Sequence, residues 1–170
     1  MSLGAAKRAG IPLLLAGEVF PYQAHKAYFE NEIAPRLDNS RRFIGPVGLP
    51  RKRRLLSSAR CLLAPSMVAE TSSLVAMEAM ACGTPVVAFP SGALPELIDH
   101  GRTGFLVHDA KEMAAAIHAV DTLNPATCRR EAENRFSADR MFEQYLQLYE
   151  DVAGGELENR KERELCTLPS

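Results

Sequence analysis

Along the chain, short apolar runs alternate with longer stretches in which apolar residues return every third or fourth position. Ile11 to Ala16 is an apolar run closed by Gly17, the pattern of a strand covered on both faces. Tyr22 to Leu37 has helical spacing and puts Ala24, Ala27, Tyr28 and Ile33 on its inner side. Arg42 to Ile44 predicts a short strand, broken by Gly45-Pro46. Arg51 to Ala59 predicts a helix with Leu55, Leu56 and Ala59 on one face. Cys61 to Ala64 predicts a strand stopped by Pro65-Ser66. The Glu70 to Cys82 segment holds the central helix, with Glu70 in the loop before it, Thr71, Ser72 and Ser73 just ahead of its start, Gly83 where a left-handed cap belongs and Pro85 as a stop. Thr84 to Phe89 is a fully apolar, β-rich strand. Pro95 to Ile98 opens a helical turn, Gly101 to Gly104 is a turn, and Phe105 to Val107 is a further strand. Lys111 to Val120, Thr127 to Arg135 and Ala138 to Val152 then read as helices. Ala153-Gly154-Gly155 ends the globular part, and 156–170 is a charged tail, loose or a frayed helix. Met1 to Leu3 are left out of this reading.

Strands apolar on both sides and separated by helices imply a parallel sheet covered on both faces, a doubly wound α/β domain with a helical C-terminus. Ligands of such sheets sit at the carboxyl ends of the strands, against helix N-termini. The loops of interest are therefore Gly17-Glu18, Gly45-Pro46-Val47, Pro65 to Ser73 and Pro90 to Ala93.

Length and composition add limits. A chain of 170 residues suits one domain with a substantial core. The net charge of −1 argues against a broad nucleic-acid surface. No apolar run approaches the roughly 20 residues needed to cross a bilayer, and the start lacks the apolar core of a secretion signal. Cys61, Cys82, Cys128 and Cys166 are scattered without a CxxC pair, so disulfides and a zinc site are disfavoured and a reducing cytoplasm fits. Cys61 and Cys82 read as small core residues, and Met67, Met77 and Met80 as core. His25, His100, His108 and His118 are scattered surface positions. The run Arg51-Lys52-Arg53-Arg54 is a solvated helix face, or a field that draws an anionic ligand or a membrane surface.

The chemistry concentrates at the central helix. Glu70 and Glu78 stand eight positions apart, and between Thr71 and Pro95 Glu78 is the only charged side chain. A lone carboxylate in apolar surroundings needs a partner, and a hydroxyl-rich ligand is one. Thr71, Ser72 and Ser73 can each cap the helix, whose free first-turn N–H groups suit a phosphate. One carboxylate can then take sugar hydroxyls and the other ribose hydroxyls through charge-assisted hydrogen bonds. Alternatively, Glu78 pairs with an arginine, Glu70 is a solvated loop acid, and the serines only cap.

The segment from Glu70 to Glu78 resembles the glutamate-x7-glutamate signature of retaining glycosyltransferases of the GT-B fold, the group typified by sucrose, sucrose-phosphate and mannosyl transferases. The likeness continues through Leu62 to Ser66, Glu78 to Ala88, Gly92 to Ile98 and Gly101 to Val107, and covers about Ile11 to Val152. It implies a Rossmann-like donor-binding domain over 4–153 that holds a nucleotide-diphosphate sugar, with no further cofactor and no metal. Glu70 resembles the glutamate that contacts donor-sugar hydroxyls at the reacting end, and Glu78 the one that binds the ribose. Ser72, Ser73 and Leu74 match the diphosphate- and sugar-holding helix start, and Gly45, Pro46 and Val47 the loop beside the nucleobase. Thr71-Ser72-Ser73 replaces the glycine-rich or proline-phenylalanine-glycine stretch of many members, which leaves the sugar open. The acceptor domain and the family's first donor-domain strand, with its arginine and lysine, have no counterpart here. The reading is a truncated domain beginning in the first helix at Ala5 to Ala9, inactive alone. The implied reaction in a complete enzyme is retaining transfer to an unknown acceptor, in cell-envelope polysaccharide or glycolipid synthesis, in the cytoplasm or at the inner membrane surface.

The alternative is a stand-alone nucleotide-sugar binding module without catalysis. A dinucleotide oxidoreductase needs GxGxxG after its first strand, and Ala16-Gly17-Glu18-Val19-Phe20 lacks it; an epimerase of similar fold is a further alternative. The apolar stripe Met141, Tyr145, Leu146, Leu148 and Tyr149 predicts self-association through the C-terminal helix.

Overall fold

The computed structural model describes residues 1–154; the tail expected from Glu156 and Cys166 lie outside them. Two compact units divide the chain, Met1–Ala132 and the segment from Glu133.

In the first unit the strands are β1 (Leu13–Leu15), β2 (Arg41–Phe43), β3 (Leu62–Ala64), β4 (Val86–Ala88) and β5 (Gly104–Leu106). All pairings are parallel. They form two sheets, β1-β2 and β3-β4-β5, in place of the single sheet the sequence predicts. Leu13 lies opposite Arg41, Leu62 opposite Val86, and Val86 opposite Gly104. The last register explains Gly104: a Cβ there would lie 2.0 Å from the Val86 carbonyl oxygen.

The helices are α1 (Ser2–Ala9), α2 (Gln23–Tyr28), α3 (Leu49–Ser58), α4 (Leu74–Ala81), α5 (Leu94–Leu97), α6 (Ala110–Ala119), α7 (Pro125–Phe136) and α8 (Ala138–Ala153). α1 packs on α6, and α6 on β4; α4 packs on β3 and β4, and α3 against α4. Strand side chains alternate faces. Val87, Phe89 and Val107 form one core with Ala5, Met113, Ala116, Ile117 and Val120. Val86 and Ala88 point the other way, where the buried Thr84 hydroxyl donates to the Leu56 carbonyl at 2.6 Å. Hence α1 and α6 cover one face, and α3 and α4 the other.

α4 ends in a Schellman motif. Gly83, at φ +80°, follows the last turn, its N–H bonds the Met80 carbonyl at 2.8 Å, and the Thr84 N–H bonds the Ala79 carbonyl at 2.9 Å. Asp109 caps α6, its Oδ1 accepting from the N–H groups of Lys111 and Glu112, both at 2.7 Å. These two bonds hold the Asp109 carboxyl below its ordinary range.

Several elements depart from the sequence reading. α1 starts at Ser2 and buries Leu3, so the opening residues belong to the fold. The helix expected over Tyr22–Leu37 is α2, a π-helical turn (Phe29–Ile33) and a 3-10 turn (Ala34–Arg36). Pro35 cannot continue a helical ladder there. Its inner face is also rotated: Tyr28 and Ala24 are exposed, and Phe29 packs on Phe43 with centroids 4.8 Å apart. Ala59 is exposed and Leu56 anchors α3. Met67 is exposed while Met80 is fully buried, because Met67 falls in the loop after β3. Cys61 and Cys82 are half-buried and Cys128 is buried, all as free thiols. Burial pushes the Cys61 thiol up to about 11, so it stays protonated and unreactive near neutrality.

In the second unit, Arg135 lies over the Phe136 ring at 4.9 Å. Ser137 caps α8, which buries none of its residues.

Candidate donor-binding site

Three loops leave the carboxyl ends of the strands near α4. After β3, Pro65 to Ser73 is entirely irregular, and α4 begins at Leu74, directly after Thr71-Ser72-Ser73. Apolar Met67 and Val68 have no helical phase with the residues that follow, and both stay exposed. Glu70 thus stands in a loop, four residues before the helix.

That loop is pinned by the one after β4. The Ala93 N–H donates to the Glu70 carbonyl at 2.8 Å. Gly92, at φ +56°, lies against the same peptide: a Cβ would meet the Glu70 carbonyl oxygen at 2.2 Å. Only glycine supplies both the left-handed backbone and the missing side chain. The Glu70 side chain is half-buried. Among the described residues no hydrogen bond or ion pair engages its carboxylate.

Ser73 is the N-cap residue of α4 and is buried, but its hydroxyl makes no capping bond. Its carbonyl takes the N–H groups of Ala76 and Met77 at 3.0 and 3.2 Å. Capping by Thr71 or Ser72 is likewise absent, and both are exposed. The Leu74 and Val75 N–H groups therefore point out of the helix start without an acceptor among the described residues. That is an arrangement for an anion.

Glu78 lies in the second turn of α4, and its Oε1 accepts from Lys52 Nζ of α3 at 2.5 Å. Both side chains are about one third exposed. The partner is a lysine of the basic run and not an arginine, while Arg51, Arg53 and Arg54 are exposed. Sequence reading noted Lys52 without assigning it this contact. The signal available was its place on the half-buried side of α3, three residues before Leu55 and four before Leu56. Among the described residues Glu78 Oε2 has no hydrogen-bond partner and can accept from hydroxyls.

Gly45 follows β2 at φ +68°, and its carbonyl accepts from the Gly17 N–H at 3.1 Å, tying the loop to the end of β1. Pro46, Val47, Lys52 and Val75 border a cavity of about 790 Å³. Glu70, Ser72, Ser73, Leu74 and Glu78 are not on its lining. The structure thus joins Glu70 to the Gly92 loop, Glu78 to α3, and Gly45 to Gly17, with no direct contact among the three. No group of three metal-ligating side chains occurs among the described residues. His100 and His108 are exposed; His100 Nδ1 accepts from the Leu106 N–H at 3.2 Å, a structural bond.

Known proteins give this geometry a family. Residues 3–121 match the family described as glycosyl transferases group 1. The D-inositol 3-phosphate glycosyltransferase of Mycobacterium sp. (strain KMS) is 38% identical over 134 residues, covering 75% of this chain and 30% of that protein. A glycosyltransferase of avilamycin A biosynthesis superposes with a TM-score of 0.74 at 28% identity, over 90% of this chain and 47% of that one. Anabaena HepE, solved with UDP-glucose, gives 0.74 at 25% identity, over 88% and 44%. The chain therefore spans about a third of the curated relative and under half of each solved chain. The architecture is the Rossmann-like half of a GT-B glycosyltransferase. By the extent of its match, the chain belongs to the group 1 glycosyl transferases.

Proposed function

We propose that residues 4–153 form a donor-binding domain that holds a nucleotide-diphosphate sugar for glycosyl transfer with retention at the anomeric carbon. The observation that carries this reading is the α4 start: two N–H groups without an acceptor among the described residues, four and five positions after Glu70, whose half-buried carboxylate has no partner among them and stands in a loop fastened by Gly92. A diphosphate meets the N–H groups of Leu74 and Val75, with Ser72 and Ser73 flanking it. Glu70 accepts hydroxyls of the donor sugar at the reacting end. Glu78, steadied by Lys52 through one oxygen, accepts ribose hydroxyls with the other. Gly45, Pro46 and Val47 lie beside the base. HepE, a structural neighbour, was solved with UDP-glucose, which supports a nucleotide sugar as the ligand class.

The transition state of such transfer is oxocarbenium-like. The two glutamates hold the donor and do not flank the scissile bond as paired glycosidase carboxylates do. A second reading, binding without turnover, is favoured by one observation: Lys52, the cation beside Glu78, is already committed to that carboxylate and not to a leaving group.

The test is calorimetric titration with UDP, GDP and their sugars, repeated on Glu78→Ala, Glu70→Ala and Lys52→Met. One nucleotide binds, Glu78→Ala loses it by at least about tenfold, and Glu70→Ala weakens the sugar conjugate more than the bare nucleotide. Lys52→Met lowers affinity with little change in melting temperature, since a pair this exposed contributes under about 1 kcal/mol to stability. Equal, undiminished binding by the Glu78 and Glu70 variants removes the reading. Release of free sugar from the bound donor separates turnover from binding alone.

A further inference from the structure

Beyond Gly17, which closes β1, the chain sets three rings against one another at the surface. Phe20 and Tyr22 have centroids 6.5 Å apart and a tilt of 35°. His25 stands edge-on to both, at 5.8 Å from Phe20 and 5.4 Å from Tyr22. Phe20 is nonetheless 48% exposed and Tyr22 66%. The contacts among the rings thus leave about half or more of each large aromatic in water, where its flat face is available to a partner.

The backbone makes the arrangement stiff. Pro21 stands between Phe20 and Tyr22; its ring fixes its own φ and holds Phe20 extended. Tyr22 is extended too, at φ −74° and ψ 139°, and is the N-cap residue of α2. His25 belongs to the first turn of that helix and braces both rings. Little freedom is left to lose when a flat molecule lies on them.

Position identifies the molecule. The Gly17 N–H bonds the Gly45 carbonyl at 3.1 Å, which places the ends of β1 and β2 side by side. Three residues span at most about 10 Å, so the Phe20 backbone stays within that distance of Gly17. The rings therefore belong to the same corner as Gly45, Pro46 and Val47, at the carboxyl ends of parallel strands. In that loop the N–H and C=O of Val47 enter no hydrogen bond among the described residues. A ligand here meets flat apolar faces together with a free peptide group. A nucleobase carries a π face and a polar edge in one molecule; a phosphate or an alkyl chain does not.

We propose that Phe20 and Tyr22, braced by His25, are the stacking platform for the nucleobase of the donor. The proposal rests on the nucleotide-sugar reading and adds to it the side chains that supply affinity for the base. Stacking accepts any base, because every base has a π face. The platform therefore holds uracil and guanine alike, and discrimination between them falls to other groups.

Calorimetry with UDP and GDP on the full chain, together with proton NMR of bound UDP, tests this. Phe20→Ala and Tyr22→Ala each weaken the nucleotide that binds by about tenfold, with the melting temperature unchanged because both rings are exposed. Phe20→Trp and Tyr22→Trp keep the affinity, and Phe20→Leu and Tyr22→Leu, apolar but without a π face, do not. The uracil H5 and H6 resonances move upfield on binding through the ring currents, and the two alanine variants abolish that shift. Binding that depends on Glu78 but not on Phe20 or Tyr22 overturns the platform and leaves the donor reading standing. So does rescue by leucine equal to that by tryptophan, an unshifted base, or binding of free glucose that depends on the same two rings. Absence of any nucleotide binding removes both.

Discussion

Single residues in this chain divide into those that hold structure and those left with unused bonding capacity. Asp109 is of the first kind, with one oxygen taking two helix N–H groups. Because those bonds lower its folded pKa, its contribution is fully present above the unfolded value of about 3.9 and drains away as pH falls through the lower folded value. Asp109→Asn keeps a cap without the titration, so denaturant midpoints measured between pH 5 and 2 should fall less steeply for the variant than for the parent. Glu70 and the Leu74 and Val75 amides are of the second kind. Their freedom was legible in part: Glu70 and Glu78 stood out as acids near an apolar helix, and the helix start was recognisable. The partner of Glu78 was not, because Lys52 reaches it across 26 positions of sequence. A contact of that span depends on how α3 crosses α4, which no local spacing encodes.

At the scale of elements, the strands were readable because each is an apolar run between Gly or Pro stops. The long segment after β1 was misread in its inner face, since two aromatics one position apart, Tyr28 and Phe29, compete for the interior. Phe43 on β2 decides in favour of Phe29. The start of α4 was readable, with Glu70 in the preceding loop and Thr71 to Ser73 just ahead of the helix, but the anchorage of that loop was not. Nothing in the sequence before Leu74 shows that the loop after β3 is drawn toward Gly92 by a backbone bond. That bond makes Gly92 a test of the loop. Gly92→Ala places a methyl group on the Glu70 peptide and forces an alanine to positive φ, costing roughly 2–3 kcal/mol. Thermal unfolding should show the loss, and Gly101→Ala, at φ +76° with open space around it, should show less.

For the molecule as a whole, the parallel α/β class followed from the alternation of strands and helices, while the division into two sheets did not. Pairing order is a long-range property that apolar runs leave undetermined. The stripe Met141, Tyr145, Leu146, Leu148 and Tyr149 on α8 was legible, and the structure adds exposed Phe142 and Val152, which the sequence reading did not name. We expect concentration-dependent association by light scattering, relieved by Tyr145→Lys with Leu148→Lys; a monomer at all concentrations in the parent chain would remove that expectation. The divided sheet bears on how the protein comes apart. Between Ala6 and Leu56 no residue is buried, whereas β4 is wholly enclosed. We therefore expect the β1–β2 half, which shares no backbone ladder with the β3-β4-β5 sheet, to be the less stable part of the Met1–Ala132 unit. Urea should melt the chain in two stages, the β1–β2 half first, with a denaturant slope too shallow for 154 residues unfolding together.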